Sequence, residues 1–351
     1  MSTILTGLSR IGIAALAGGA LLLAATACSG GNSGEVKTAR PAERHLVYIS
    51  GDSAKNGMVW IAKPDGSNAR HLTPGAVALL SPDGKAVAVQ RPGKGIFVVS
   101  SDGTKTRRLT PRTLRPVAWS GDGKTLYTAR ANGPAVVQLI ALDRATGSSH
   151  SLAKGSFYGF DVSPDGTQLV YSRAPVVTDQ GICGDQFDLY VTKLDGSSPE
   201  RITHDGLSAF PVWGPSGIAF SHFPTGGTLA DCGSPGVGTI DPDGSNRKIV
   251  IARAPDSITL LGFYGFQPLA WLDDSHVLIG LRSDSGNEGA VLDTASKKLR
   301  RLNVFADEAS SDGRFSVGSG GNPEIVLSIV RLSDGKRVFV RRSVCCPDWN
   351  R

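Results

Sequence analysis

The chain has 351 residues, of which 40% are apolar and 19% are charged, and its formal net charge is +6. The apolar fraction is large enough to build a core, so the composition excludes global disorder. The 44 glycines and 20 prolines, combined with a charged share below the usual ~25%, predict many turns between short strands rather than long helices.

The N-terminal segment has the pattern of an export signal. Arg10 precedes the apolar, glycine-interrupted run 11–27, and small residues stand before Cys28. A basic residue, an apolar run and small residues before a cleavage point are typical of secretory signals, and this run is short and broken for a membrane-spanning helix. The sequence Ala25-Thr26-Ala27-Cys28 resembles a bacterial lipobox, with Ala25 where that family prefers leucine.

The lipobox resemblance implies that residues 1–27 are removed and that Cys28 carries a diacylglycerol group. The mature chain would then be held by the lipid bilayer on an extracytoplasmic face of the cell membrane, because two acyl chains anchor a protein firmly. The alternative is an ordinary secreted protein with a chance cysteine near its cleavage site. Residues 28–44 are rich in Gly and Ser at their start and predict a flexible linker, so the folded domain comprises residues 45–351.

Two short phrases recur through this domain. The first is a strand ending in a turn of Ser-Pro-Asp-Gly type, found at 80–84, 119–123, 162–166, 213–217, 271–274 and 310–313. The second is a strand, an Asp-Gly turn and a short strand, clearest at 60–73, 97–110 and 189–203. In such turns Pro presets the backbone, Asp bonds to nearby backbone and Gly supplies a positive φ. Four short strands between successive phrases are typical of a β-propeller blade.

This pairing of phrases resembles the TolB-type, WD40-like β-propeller repeat and extends over nearly all of residues 45–351. The resemblance implies an all-β fold of four-stranded blades. Repeat starts near residues 45, 76, 115, 158, 210, 267 and 307 favour seven blades, with six as the alternative. The first unit lacks an inner strand, so we predict that residues 343–349 supply it and close the ring.

Four cysteines lie in the predicted domain. Cys183 and Cys232 occupy the inserts 174–187 and 223–236, which separate the second and third strands of neighbouring blades. These inserts should emerge side by side, so we predict a Cys183–Cys232 disulfide in an oxidising compartment. Adjacent Cys345 and Cys346 leave open a vicinal disulfide, two free thiols, or pairing with the other two cysteines. Without CxxC spacing or clustered histidines, no metal ion or cofactor is predicted.

The two kinds of turn share one face of a propeller, here called the turn face. The loops between second and third strands and the blade-to-blade connections form the opposite face, here called the loop face, which carries the long inserts. Loops on a rigid scaffold usually carry recognition, so we predict a binding site on the loop face over blades four to six. The candidate residues there are Tyr158, Asp179, Asp185, Phe223, Asp231 and Tyr264.

No catalytic motif is apparent in the repeats. The chain lacks the Gly-x-Ser-x-Gly elbow of prolyl-oligopeptidase relatives, and residues 163–167 lack the spacing of a sialidase Asp-box. We therefore expect no enzymatic activity, and a cell-envelope module that binds an envelope protein or a cell-wall glycan and no nucleic acid. The alternative is an envelope hydrolase or lyase at the mouth of the channel, using carboxylates such as Asp179, Asp185 and Asp231. The oligomeric state stays open.

Overall fold

A computed structural model describes residues 45–351 except 52–56, 113, 132–136, 175–185, 225–233, 256–264, 284–285, 311–312, 322–324, 343 and 350–351. In this part of the chain the regular elements are β-strands, arranged as the seven four-stranded blades of a β-propeller. None of the described segments forms a helix that is long and apolar enough to cross a membrane.

The strands follow one another blade by blade. Blade 1 contains β1 (Leu46–Ser50), β2 (Met58–Ala62) and β3 (Arg70–Pro74), and blade 2 contains β4 (Val77–Leu80), β5 (Ala86–Arg91), β6 (Gly95–Ser100) and β7 (Thr106–Thr110). Blade 3 contains β8 (Arg115–Trp119), β9 (Thr125–Ala131), β10 (Val137–Asp143) and the first half of β11 (Ser149–Val162); the second half of β11 begins blade 4, which continues with β12 (Gln168–Ala174), β13 (Asp188–Lys193) and β14 (Glu200–Arg201). Blade 5 contains β15 (Ser208–Gly214), β16 (Gly217–His222), β17 (Pro235–Ile240) and β18 (Lys248–Arg253), and blade 6 contains β19 (Phe266–Trp271), β20 (His276–Ser283), β21 (Gly286–Asp293) and β22 (Leu299–Phe305). Blade 7 contains β23 (Glu308–Ala309), β24 (Phe315–Gly320), β25 (Val326–Arg331) and β26 (Arg337–Arg342), and β27 (Val344–Trp349) returns to blade 1.

The C-terminal strand closes the ring as predicted. Strand β27 pairs antiparallel with β1, with Leu46 opposite Trp349 and Ser50 opposite Val344. It thereby supplies the inner strand that the first repeat lacks, so blade 1 is built from both ends of the domain. The prediction of seven blades is confirmed, and the six-blade alternative is wrong.

The core consists of the seams between adjacent blades. Successive residues of a strand point to opposite faces of the sheet, so neighbouring residues of one inner strand pack on different blades. Leu80 packs in a cluster with Val47 of blade 1, whereas Leu79 packs with Trp119 and Leu126 of blade 3. An inner strand that is apolar at every position, rather than at alternate positions, is the sequence signature of this arrangement.

The recurring turns are held by the residues that the sequence repeats. In the Ser-Pro-Asp-Gly turn of blade 2, the Ser81 hydroxyl donates to Asp83 Oδ1 over 2.5 Å, and the same oxygen accepts the Lys85 backbone N–H at 3.0 Å. The turns between third and fourth strands also contact the preceding blade. At Gly147 (φ 76°) a β-carbon would lie 2.6 Å from the Leu109 carbonyl oxygen of β7, so both the φ angle and the close approach require glycine here.

Candidate ligand-binding surface on the loop face

Most of the predicted site residues lie outside the described part of the chain. These are Cys28, Cys183, Cys232, Asp179, Asp185, Asp231 and Tyr264, together with the side chains of Tyr158 and Cys346. Their roles therefore stay predictions. Cys345 lies in β27 and packs against the cluster that contains Val47 and Ile49, so its side chain belongs to the seam between blades 1 and 2.

The roots of the two long inserts pack together on the loop face. Ala174 and Phe187 flank the insert of blade 4, and both join a cluster with Phe210 of β15, against which Phe223 at the root of the blade 5 insert also packs. Both roots also bond to the connection between β14 and β15. The Phe187 N–H donates to the Gly206 carbonyl over 3.0 Å, and the Phe223 N–H donates to the next carbonyl, that of Leu207, over 2.8 Å. The described roots of the two inserts thus lie side by side. The half-buried Phe223 is partly committed to this packing.

The aromatic phrase that recurs at 157–160 and 263–266 supplies core residues. Phe157, Phe160 and Phe266 are buried, and the Phe160 ring meets the Tyr127 ring of blade 3 edge to face, with 6.5 Å between centroids. A β-carbon at Gly159 (φ 103°) would lie 2.8 Å from the Phe210 Cα atom. The described phenylalanines therefore wedge between blades and are unavailable to a ligand.

The structure also shows a feature that the sequence analysis missed. One position of the repeat, at the loop-face end of the second strand, carries a basic side chain in blades 2, 3, 4 and 5: Arg91, Arg130, Arg173 and His222. Their equivalence follows from strand pairing. In blade 3 the last inner-strand residue, Trp119, pairs with Leu126, and Arg130 follows Leu126 by four residues. In blade 5 Trp213 pairs with Ile218, and His222 follows Ile218 by four residues. We call these four residues the basic arc.

Each member of the basic arc faces the preceding blade. Arg130 shares a strand face with Leu126, which packs among residues of blade 2. Arg173 shares a face with Leu169 and Tyr171, which pack on blade 3, and His222 shares a face with residues that pack on blade 4. The basic arc therefore places one nitrogen-bearing side chain at the loop-face end of each of four consecutive seams.

The four side chains differ in how many of their nitrogens have hydrogen-bond partners. Arg91 is engaged at Nε and Nη2: its Nη2 donates to Thr73 Oγ1 over 2.6 Å, its Nε donates to the Pro74 carbonyl over 3.3 Å, and its guanidinium lies 4.2 Å from the Phe97 ring centroid. By contrast, Arg130 Nε, Arg173 Nε and His222 Nδ1 are buried and have no hydrogen-bond partner among the described residues.

An unpaired buried polar atom is costly, at about 1–3 kcal/mol for each. Among the described residues, three of the five such atoms recur at one repeat position in consecutive blades, and the other two are Tyr127 Oη and Trp271 Nε1. At the seam of Arg173 the side chain packs closely on Gly155, where a β-carbon would lie 3.0 Å from Nε and 3.3 Å from Cγ. An acceptor from a bound ligand or water is the expected partner of such unpaired nitrogens.

His222 contributes a neutral group to the basic arc. Burial lowers the pKa of its imidazole, and the positive charge of Arg247 lowers that pKa further, against a smaller opposing effect of Asp205. Arg247 Nη2 and Asp205 Oδ2 form an ion pair at 2.5 Å. A neutral imidazole carries one donor and one acceptor nitrogen, so His222 can serve either kind of ligand atom.

Buried Asp161 and half-buried Asp348 each bond a neighbouring blade, and buried Asp188 bonds within blade 4 and to the connection that follows it. Asp161 Oδ2 accepts the Trp213 N–H of the next inner strand at 2.8 Å, and at the same repeat position Asp348 Oδ2 accepts the Leu80 N–H at 2.7 Å. Asp188 accepts bonds from Arg201 and from the connection that follows β14. Within the described residues, no three His, Cys, Asp or Glu side chains come together in an arrangement that would hold a metal ion.

A second basic surface lies on the turn face between blades 2 and 3. A cleft of about 630 Å³ is lined by Lys85, Lys105, Arg107, Lys124, Arg144, Asp122 and Asp143. Arg144 is already engaged, since its Nη1 donates to the Gly123 carbonyl over 3.3 Å and its guanidinium lies over the Trp119 ring. The lining residues belong to the short turns and to the strand ends beside them, such as Arg107 in β7 and Asp143 in β10, so the cleft opens on the turn face.

Comparison with known proteins shows the fold and little more. No family model and no curated protein match the sequence. TolB from Acinetobacter baumannii superposes with a TM-score of 0.52 over 88% of this chain and 67% of TolB, at 15% identity. A prolyl endopeptidase gives 0.60 at 13% identity over 88% of this chain, which spans about half (49%) of the endopeptidase. An oligogalacturonate lyase from Vibrio parahaemolyticus gives 0.54 at 14% identity over 81% and 82% of the two chains.

The expectation that the protein is not an enzyme has to be corrected. The same propeller architecture occurs in TolB, in oligogalacturonate lyases and in peptidases, at 13–17% identity to this chain. A fold shared by binding proteins and enzymes does not settle whether this chain has catalytic activity. The absence of a short motif was weak evidence, because catalytic side chains can come from separate blades that no motif links.

Proposed function

We propose that the protein is a lipid-anchored module on the extracytoplasmic face of the cell membrane, and that its loop face binds a cell-wall glycan or an envelope protein. The observation that carries the proposal is the basic arc, in which three buried nitrogens at equivalent positions have no partner among the described residues. Hydrogen-bonding capacity held on a rigid scaffold at the rim of a loop-bearing face is typical of a binding site.

The anchor rests on the N-terminal sequence alone. The run 11–27 followed by Cys28 has the order of a lipoprotein signal, and a diacylated cysteine would hold the propeller at the membrane. A Cys28→Ala variant should move from the membrane fraction to the soluble extracytoplasmic fraction. Intact-mass spectrometry of the membrane-extracted parent should show the added lipid, and an unlipidated mass that begins downstream of Cys28 would refute the anchor.

Binding at the loop face is tested with isolated cell-wall sacculi and with detergent-solubilised envelope proteins. The parent protein should be retained by one of these two fractions. The variant Arg130→Gln/Arg173→Gln removes two charges from the loop face, and Lys85→Gln/Lys105→Gln removes two from the turn-face cleft. Retention that the first variant loses and the second keeps supports the proposal. Retention by neither fraction, or equal loss in both variants, contradicts it.

A further inference from the structure

We infer that the ligand of the basic arc is an acidic polysaccharide that presents one carboxylate to a blade seam at a time; this inference rests on the proposed function. The starting point is the chemistry of the unpartnered atoms. Arginine donates hydrogen bonds, accepts none and stays charged at any physiological pH. The Nε atoms of Arg130 and Arg173, buried and without acceptors among the described residues, therefore call for an anionic or carbonyl oxygen.

A carboxylate suits these positions better than a bulkier anion. The edge of a guanidinium formed by Nε and one Nη matches the two oxygens of a carboxylate in a planar, bidentate pair. At Arg173 the side chain already packs on Gly155, where a β-carbon would come within 3.0 Å of Nε, so the seam there is narrow. A planar group needs less room in a narrow seam than a tetrahedral phosphate, whose additional oxygens would need partners of their own.

The repetition of the site indicates a polymer. Arg130 and Arg173 occupy the same register in adjacent blades, so the propeller rotation relates one seam to the next. A single small anion would engage one seam and leave the other unpaired. A chain with a regular charge spacing can engage both, and the gain from linking two weak contacts is large because the second contact is intramolecular.

The neutral groups along the arc favour a sugar polymer over a dense polyanion. Arg130 Nη2 donates to Gln138 Oε1, and Gln138 Nε2 donates to Ser151 Oγ at 3.0 Å, so an amide and a hydroxyl adjoin the cation. His222 follows in blade 5 with a lowered pKa. Cations separated by neutral donors and acceptors match a ligand with carboxylates and hydroxyls. Nucleic acids and polyphosphates are instead bound through many closely spaced Lys and Arg contacts.

The test uses the full chain and three soluble probes. Alginate, a polyuronate, is compared with inorganic polyphosphate and with neutral dextran of similar length by affinity electrophoresis at constant salt. The parent should be retarded by alginate and not by dextran. Arg130→Gln/Arg173→Gln should bind alginate about tenfold or more weakly, because each charge-assisted contact contributes about that factor. The matched variant Lys85→Gln/Lys105→Gln should stay within about twofold of the parent.

A melting curve of each variant separates binding from folding. Arg173 carries an unpaired buried Nε in the free protein, so Arg173→Gln should leave the melting temperature unchanged or raise it. Arg130→Gln also removes the Nη2 hydrogen bond to Gln138, so its melting temperature should be unchanged or slightly lower. If both variants lose alginate binding equally, if polyphosphate binds more tightly than alginate, or if alginate does not bind, the ligand class is wrong. Retention by sacculi or envelope proteins that is lost in Arg130→Gln/Arg173→Gln would then still support the binding module. Loss of that retention as well would refute the proposed function itself.

Discussion

Asp348 offers a sharp test of how the ring is closed. Its Oδ2 atom accepts the Leu80 N–H at 2.7 Å, which ties the C-terminal strand β27 of blade 1 to the inner strand of blade 2. A hydrogen bond to a charged group contributes about 1.5–3 kcal/mol, and Asp348→Ala also leaves the Leu80 N–H without this partner. We therefore expect Asp348→Ala to lower the free energy of unfolding by about 2 kcal/mol.

Two matched variants qualify this expectation. Asp348→Asn keeps an acceptor oxygen in place and should recover about half of the loss, because only the charge is removed. Asp161→Ala breaks the equivalent contact to the Trp213 N–H at a residue that is 1% exposed, so its cost should equal or exceed that of Asp348→Ala. Urea unfolding followed by tryptophan fluorescence measures all three. An Asp348→Ala loss below about 0.5 kcal/mol, the range of neutral surface substitutions, would refute this account of the closure.

Three further predictions concern the closure, the turns and the acid response. Removal of β27 should lower the melting temperature and expose the inner edge of blade 1; an unchanged melting curve would mean that β27 does not complete the ring. Gly147→Ala should destabilise the protein by more than the roughly 1 kcal/mol that a positive φ costs a non-glycine residue, because its β-carbon would also approach β7. Gly335→Ala is the control, since its φ is 70° and the space around its β-carbon is open, so it should cost only that amount. Equal losses of stability in the two variants would show that the contact with β7 does not contribute. The Ser100 hydroxyl and the hydrogen bonds from Thr104 lower the pKa of Asp102 to about 2. The folded-state pKa lies below the unfolded value, so this stabilisation is present above about pH 4 and is lost as the pH falls towards 2. An NMR titration should place the Asp102 midpoint near 2, and nearer its ordinary value in Ser100→Ala; identical midpoints would contradict the role of the hydroxyl.

The fold could be predicted from the sequence because its turns repeat. Each Ser-Pro-Asp-Gly phrase marks the end of an inner strand, and the missing inner strand of the first unit indicated where the C-terminal segment had to go. The continuous strand β11 was not predicted, because residues 149–162 contain no turn residue pair that distinguishes a bend within a strand from a connection between blades. The closing strand was predictable for the opposite reason, since an unpaired inner edge is energetically unfavourable.

The basic arc was partly visible in the sequence and was missed. Arg91, Arg130 and Arg173 each follow the turn glycine of their unit by seven residues, so an alignment on that glycine would have brought them together. His222 follows its turn glycine by five residues, because the turn of blade 5 is shorter, and this hides the fourth member. The direction of these side chains depends on strand register and on packing against the preceding blade, which a single sequence does not supply.

The most direct test of the account is to observe the two arginine Nε–H groups themselves. In ¹H–¹⁵N spectra of the full chain, the Nε–H signals of Arg130 and Arg173 are assigned by their absence in the single Gln variants, and alginate is then added. We expect both signals to shift, while the Nε–H signal of Arg91, already donating to the Pro74 carbonyl, stays in place. Unchanged signals of Arg130 and Arg173 at saturating alginate, or equal shifts of all three arginines, would contradict the claim that the unpaired seam nitrogens form the ligand site.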